Sequence, residues 1–238
     1  VLINESAKQN LPRYAEGKNL DSLSEIFHNV PRLEPEAAKT TLRFYLTKTL
    51  TEDFIITDTM EVTVDGTINF DTVGHIIFKA GADYADVPAV CTTAGEIGNG
   101  FLPGQVDKLV SDEFLYFNEV MNITETAGGS EAEKDAAYYN RMRESEESYT
   151  TAGSRGSYIY HAKSVSAQIS DVSAESPQPG VADIRIMLYN GELPDKELID
   201  KVRDYLSGDE IRPMTDTVLV AAPDTVEFDI NIKYFISK

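Results

Sequence analysis

Three histidines, His28, His75 and His161, and a single cysteine, Cys91, are the side chains in this 238-residue chain best suited to ligating a metal or to pairing as nucleophile and base. Zinc needs several such groups at ligand spacing, and no H-x-x-H, H-E-x-x-H or Cys/His pattern brings them together. Cys91 sits in an apolar run without a neighbouring lysine or arginine, which reads as a buried inert thiol. Gly98, Gly100 and Gly104 follow a G-x-G-x-x-x-G spacing, and Pro103 falls where a dinucleotide-binding crossover helix would start, so that chemistry is rejected. Forty carboxylates could supply an acid/base pair, but the chain has no tryptophan platform for a sugar, no calcium loop, no nucleophile elbow and no phosphate-loop lysine. The reading therefore assigns no catalytic residue, no cofactor-binding residue and no metal ligand.

Charge narrows the field further. Against 40 acidic residues stand 21 basic ones, a net −19, which opposes binding to phosphate backbones or anionic lipid. Nucleic acid and membrane are excluded as partners on that ground. Residues 51–135 hold seventeen acidic and three basic residues, whereas residues 1–50 hold six and seven. So uneven a distribution marks the middle as a separately composed module. Without a long apolar run or a charged leader the chain reads as soluble, and its start at Val1 reads as a piece of a longer polypeptide.

The elements follow from periodicity. Ala7, Leu11, Tyr14 and Ala15 recur at helical spacing up to Gly17, and a second helix is expected from about Leu20 to His28, with Leu20, Leu23, Ile26 and Phe27 on one side. From Phe54 the period changes to short β runs, 54–57, 60–64, 67–70, 76–79 and 87–91, with Asp65-Gly66 as a hairpin signal. Ser130 and Glu133 read as a capping box opening a helix that runs to about Glu147. A helix over 155–163, strands near 165–172 and 181–189, a helix over 195–206 stopped by Gly208, and strands over 218–222 and 226–236 complete the chain. The fold class is α+β: N-terminal helices, an inserted, mostly antiparallel β domain, and a C-terminal open sheet packed with helices. The expected boundaries are 1–45, a helical segment packing with the C-terminal part; 46–124, the acidic β insert; and 125–238, the α+β domain.

Several stretches in order resemble the baseplate J-like proteins of contractile-tailed phages and phage-like elements. They are Ile3–Ala7, Ala15–Leu23, Val30–Leu33, Phe70–Thr72, Ala94–Asn99 with Gly104, Asn122, Gly128–Glu133, Arg141–Arg143, Thr151–Ser154, Ser176–Gly180 and Ile211–Asp216. Each is a turn, cap or stop signal, and their order across nearly the whole chain carries the resemblance. The acidic β module is the least family-like stretch. The resemblance implies a non-enzymatic structural protein of a baseplate wedge in a phage, prophage or derived particle. It implies oligomerisation around the hub, contacts with other wedge and hub proteins, and residence in the tail baseplate, with assembly in the bacterial cytoplasm.

Leu11, Tyr14, Leu23 and Phe27, on the helical stripes, and Arg141 and Arg143, on different faces of one helix, are the candidate partner-interface residues. Two other classes stay open. A receptor-binding or adhesin module should expose an aromatic patch on the β domain, and a carboxylate-dependent hydrolase should pair two perturbed carboxylates in a cleft.

Overall fold

The computed structural model describes residues 2–26, 30–149, 153–226 and 232. The chain divides into two compact units, Val1–Arg143 and Glu144–Lys238.

The first unit begins with α1 (Leu2–Lys8) and α2 (Lys18–Ser24). Eight strands follow: β1 (Ala37–Leu46), β2 (Phe54–Ile56), β3 (Glu61–Thr63), β4 (Asn69–Thr72), β5 (Ile76–Phe78), β6 (Tyr84–Ala94), β7 (Lys108–Leu109) and β8 (Phe117–Asn122). α3 (Asp135–Glu144) comes last. Six strands form one antiparallel sheet in the order β7-β3-β4-β6-β1-β8, and β2 pairs with β5 as a separate ribbon. The Gly104 amide donates to the Asn122 carbonyl and the Asn122 amide to the Val106 carbonyl, so the approach to β7 is tied to the end of β8. The sheet thereby nearly closes on itself, which leaves few backbone groups at an open edge.

β1 is long because its alternation is clean: Ala38, Thr40, Leu42, Phe44 and Leu46 all point into the core. There Leu42 and Phe44 meet Val62, Phe70, Phe78 and Val87. Phe114, from the loop before β8, places its ring 6.1 Å from Phe44 and 5.9 Å from Phe78, within the range of favourable tilted aromatic pairs. A second, smaller cluster of Ala15, Leu20, Val30, Tyr138 and Met142 joins the N-terminal segment to α3.

The second unit contains α4 (Arg155–Lys163), β9 (Ile169–Glu175), β10 (Val181–Leu188), α5 (Lys196–Leu206) and β11 (Thr217–Ala221). β9 and β10 form an antiparallel hairpin, and β11 returns parallel to β10. A parallel return requires a crossover, and α5 supplies it. Asp195 caps that helix by accepting from the Leu198 amide at 2.8 Å. Leu198, Val202 and Leu206 bury one stripe of α5 beside Ile184, Ile186 and Val172 of the sheet.

The α+β class stands, with a different internal division. β1 is a central strand, paired with both β6 and β8, so a boundary at 45/46 would cut the sheet. The N-terminal helices share their cluster with α3 inside the first unit, where packing with the C-terminal part was expected. The first helix ends at Lys8, and α2 ends at Ser24 with Ile26 75% exposed. Ser130 caps no helix: its backbone bridges Glu36, α3 starts only at Asp135, and Glu133 has a tertiary partner. The expected strand 165–172 sits later, at 169–175. Phe27, His28 and most of the expected strand 226–236 lie outside the described residues.

Candidate functional site

Some of the sequence stretches singled out above meet in two hydrogen-bonded locks in the first unit. In the first, the Asn99 side-chain amide behaves as a strand partner: Nδ2 donates to the Gly129 carbonyl and Oδ1 accepts from the Gly129 amide, both at 2.8 Å. Gly129 is required here because a Cβ would lie 2.3 Å from the Gly95 carbonyl oxygen. Glu131 Oε1 accepts from the Glu96 amide at 3.2 Å, tying the same two loops again. Asn122, 1% exposed, accepts from the Val106 amide at 2.9 Å and donates to the carbonyls of Leu102 at 3.1 Å and Thr124 at 2.8 Å. Its side chain therefore satisfies backbone groups that the irregular ends of β7 and β8 would leave unpaired.

The second lock is ionic. Glu133 receives Arg141 Nε at 2.9 Å and Nη2 at 2.6 Å, and it also accepts from the Leu33 amide at 3.2 Å. Arg141 Nη2 reaches the Pro31 carbonyl at 2.6 Å as well. Next to Pro31, Arg32 spans Asp21 and Asp135, at 2.8 and 2.7 Å, and lies 4.5 Å from the centre of the Tyr138 ring. Burial works against the charge of Arg32, but its hydrogen bonds to the two aspartates outweigh that and hold its pKa above the ordinary value. The Tyr138 hydroxyl donates to the Val30 carbonyl at 2.7 Å. Leu20, Asp21 and the residues 30–33 are thus clasped to α3 by charge-assisted bonds around a small apolar centre.

Residues of classic chemical use are arranged otherwise. Cys91 is buried against Ala38 and Gly98. His75 is exposed, while His161 lies in the second unit between Tyr160 and Tyr205. A cleft in that unit is lined by Arg155, Tyr158, Glu175 and Asp216, and Tyr158 donates to Asp216 Oδ2 at 3.0 Å. Burial and the neighbouring carboxylate both raise the tyrosine pKa, so Tyr158 stays a protonated donor. Among the described residues no group of three or more His, Cys, Asp or Glu side chains could hold a metal ion, and no helix is long and apolar enough to cross a membrane.

Of the candidate interface residues, Leu11 and Tyr14 are half exposed, at 52% and 51%. Leu23 is partly buried against the Leu20–Tyr138 cluster, and Phe27 lies outside the described residues. Arg143 is exposed, 5.9 Å from the Tyr139 ring. Arg141 is corrected: at 4% exposure, with Glu133 and Pro31 occupying its guanidinium, it has no face to offer a neighbour. Arg32, Asn99 and Asp135 were missed because they have partners remote in sequence, Arg32 and Asp135 being 103 residues apart, and Asp21, 11 residues from Arg32, was missed with them.

Comparison with known proteins gives two family domains. Residues 41–129 match the Baseplate J-like protein barrel domain, and residues 150–222 match the Baseplate J-like central domain. Baseplate protein J of Escherichia phage P2 is 32% identical over 105 residues, 44% of this chain and 35% of that protein. The chain thus spans about a third of the length of that curated relative. A chain in the cryo-EM structure of the anti-feeding prophage baseplate, 6-fold symmetrised, aligns over 88% of this chain and 62% of its own length, with 10% identity and a TM-score of 0.46.

Proposed function

Since the chain belongs to the baseplate J-like family, we propose that it is a structural component of the baseplate wedge of a contractile tail, in a phage, prophage or derived particle. The observation that carries this reading is the agreement between family domains and compact units: the barrel domain falls within the first unit and the central domain within the second. In this reading the chain associates with wedge and hub proteins and with further copies of itself around the hub, and it links the tube to the peripheral baseplate. It assembles in the host cytoplasm and resides in the finished tail.

Leu11, Tyr14 and Arg143 are the exposed members of the proposed interface and Leu23 is a partly buried one; Phe27 belongs to the same proposal. The two internal locks suit such a role, since they hold a barrel and its flanking segment in one geometry without any reacting group. An adhesin surface would need an aromatic patch on the barrel, whereas Tyr84, the large exposed aromatic among the described barrel residues, has Arg43 stacked 4.2 Å from its ring centre.

The test is to tag the full protein in a strain that produces the particle and to locate the tag by immunogold electron microscopy. Label at the baseplate end of the tail, and loss of assembled tails on deletion, are expected. Label at fibre tips or on the capsid, or normal tails after deletion, would overturn the reading.

A further inference from the structure

The β2–β5 ribbon pairs Phe54 with Phe78, Ile55 with Ile77 and Ile56 with Ile76. Alternation sends neighbouring residues to opposite sides of such a ribbon. Ile56, Ile76 and Phe78 are buried in the barrel core, and Phe54 packs against it. The other side presents Ile55, 52% exposed, directly across from Ile77, 43% exposed. Asp53 and Lys79 close one end of that face with an ion pair at 2.8 Å. A ribbon face that meets only water normally carries polar residues at these positions, so two opposed isoleucines mark a face suited to contact.

The backbone adds a second feature. β2 has one strand neighbour, β5, among the described residues, so no described strand pairs with its outer edge. Charge then selects the occupant. Glu52 and Asp58 are exposed on either side of β2, within a stretch of seventeen acidic and three basic residues. Of those three, Lys79 is held by Asp53, and Lys108 donates to the Val64 carbonyl. A second copy of the same face would set like charges against each other, whereas a basic segment would be drawn in.

We propose that this ribbon binds an extended segment of another protein that adds alongside β2, with an apolar centre beside Ile55 and Ile77 and lysine or arginine at both ends facing Glu52 and Asp58. The mode is strand addition, in which backbone hydrogen bonds supply affinity and the flanking charges supply selectivity for a basic segment. The contact rests on the ribbon itself, so its failure would leave the baseplate reading untouched.

The probe is the peptide Lys-Lys-Val-Ile-Val-Lys-Lys, titrated into the full chain and followed by NMR. Shifts confined to the β2 and β5 amides and to the Ile55 and Ile77 methyls are expected. The double variant Ile55→Thr/Ile77→Thr keeps the β-branch and hence the strand preference, and it should weaken binding by roughly tenfold through lost apolar contact. The peptide Glu-Glu-Val-Ile-Val-Glu-Glu should not bind. An unchanged melting temperature for the variant would establish that the ribbon is intact. No binding of the basic peptide at millimolar concentration, or equal binding by the variant with shifts scattered over the acidic surface, would overturn the proposal.

Discussion

Arg141 and Glu133 form a two-pronged ion pair with both side chains almost wholly out of water, 5% and 6% exposed, at the point where Pro31 and Leu33 cross α3. The pair therefore does two things at once. It neutralises two buried charges, and it fixes the backbone of the N-terminal segment.

Breaking one half is the sharper perturbation. Glu133→Gln leaves a buried guanidinium without its countercharge, a change that costs about 3–5 kcal/mol in comparable settings. Glu133→Leu/Arg141→Met removes both charges and should cost less than either single change, because no unpaired charge remains. Denaturant melts of Glu133→Leu, Arg141→Met and the double variant test this. A double variant as unstable as the sum of the singles would mean that the two side chains do not act as a pair.

Gly98 is a steric rather than a conformational requirement, since its backbone is not in the left-handed region. A Cβ there would sit 2.8 Å from the Ala38 Cβ and 2.9 Å from the Cys91 Sγ. Gly98→Ala should destabilise the barrel by about 1–3 kcal/mol through overpacking. Ala38→Gly in the same chain should return part of that loss. Thermal melts that leave Gly98→Ala indistinguishable from the parent would show that the loop gives way freely.

Legibility in the sequence followed the range of the interaction. The helix over 155–163, the strand starting at Val181 and the Asp195-capped helix carry local signals, and each was found at or within a residue of its bounds. β1 was missed because Thr40 is buried at a position where its hydroxyl reads as polar; it bonds the Thr124 carbonyl at 2.9 Å, 84 residues away. β8 was missed with it, since Phe117–Asn122 offers one fully buried apolar residue, Val120. The Ser130/Glu133 box failed for a related reason: Glu133 bonds an arginine on α3 and the Leu33 amide, so its carboxylate is committed elsewhere than to a helix start. That Arg141 and Arg143 point to different faces was readable from their spacing, but which one is buried depends on Pro31, 110 residues earlier.

Asp71 stands directly across β3–β4 from Glu61, a like-charge pair in register. Burial first, and then the Glu61 charge, push the Asp71 pKa up. A carboxyl raised in the folded state contributes stability below its unfolded pKa, about 3.9, and loses it as the pH rises through the folded value. At pH 7 the charged pair is thus a liability, and Asp71→Asn should stabilise the first unit there by some tenths to about 1 kcal/mol. Urea midpoints should differ at pH 7 and converge towards pH 3.5. A variant less stable than the parent at pH 7 would contradict the assignment.

His161 carries the opposite sign in the second unit. Its Nδ1 is buried without a hydrogen-bond partner among the described residues, and its ring packs against Tyr160 and Tyr205, so the charged form is poorly solvated there. Burial lowers its pKa, opposed in part by a hydrogen bond that the imidazole donates to the Ser148 backbone. For a base lowered in the folded state, the unfolded chain binds the proton more readily. Stability is therefore complete above the unfolded pKa, about 6.5, and falls as the pH drops through the folded value. His161→Phe keeps an aromatic ring between the two tyrosines and removes the titration. The parent should lose stability between pH 7.5 and 5.5 while the variant changes less over the same interval, as followed by urea melts read through tyrosine fluorescence. Equal pH dependence in the two proteins would place the acid sensitivity on other groups and leave His161 a passive core residue.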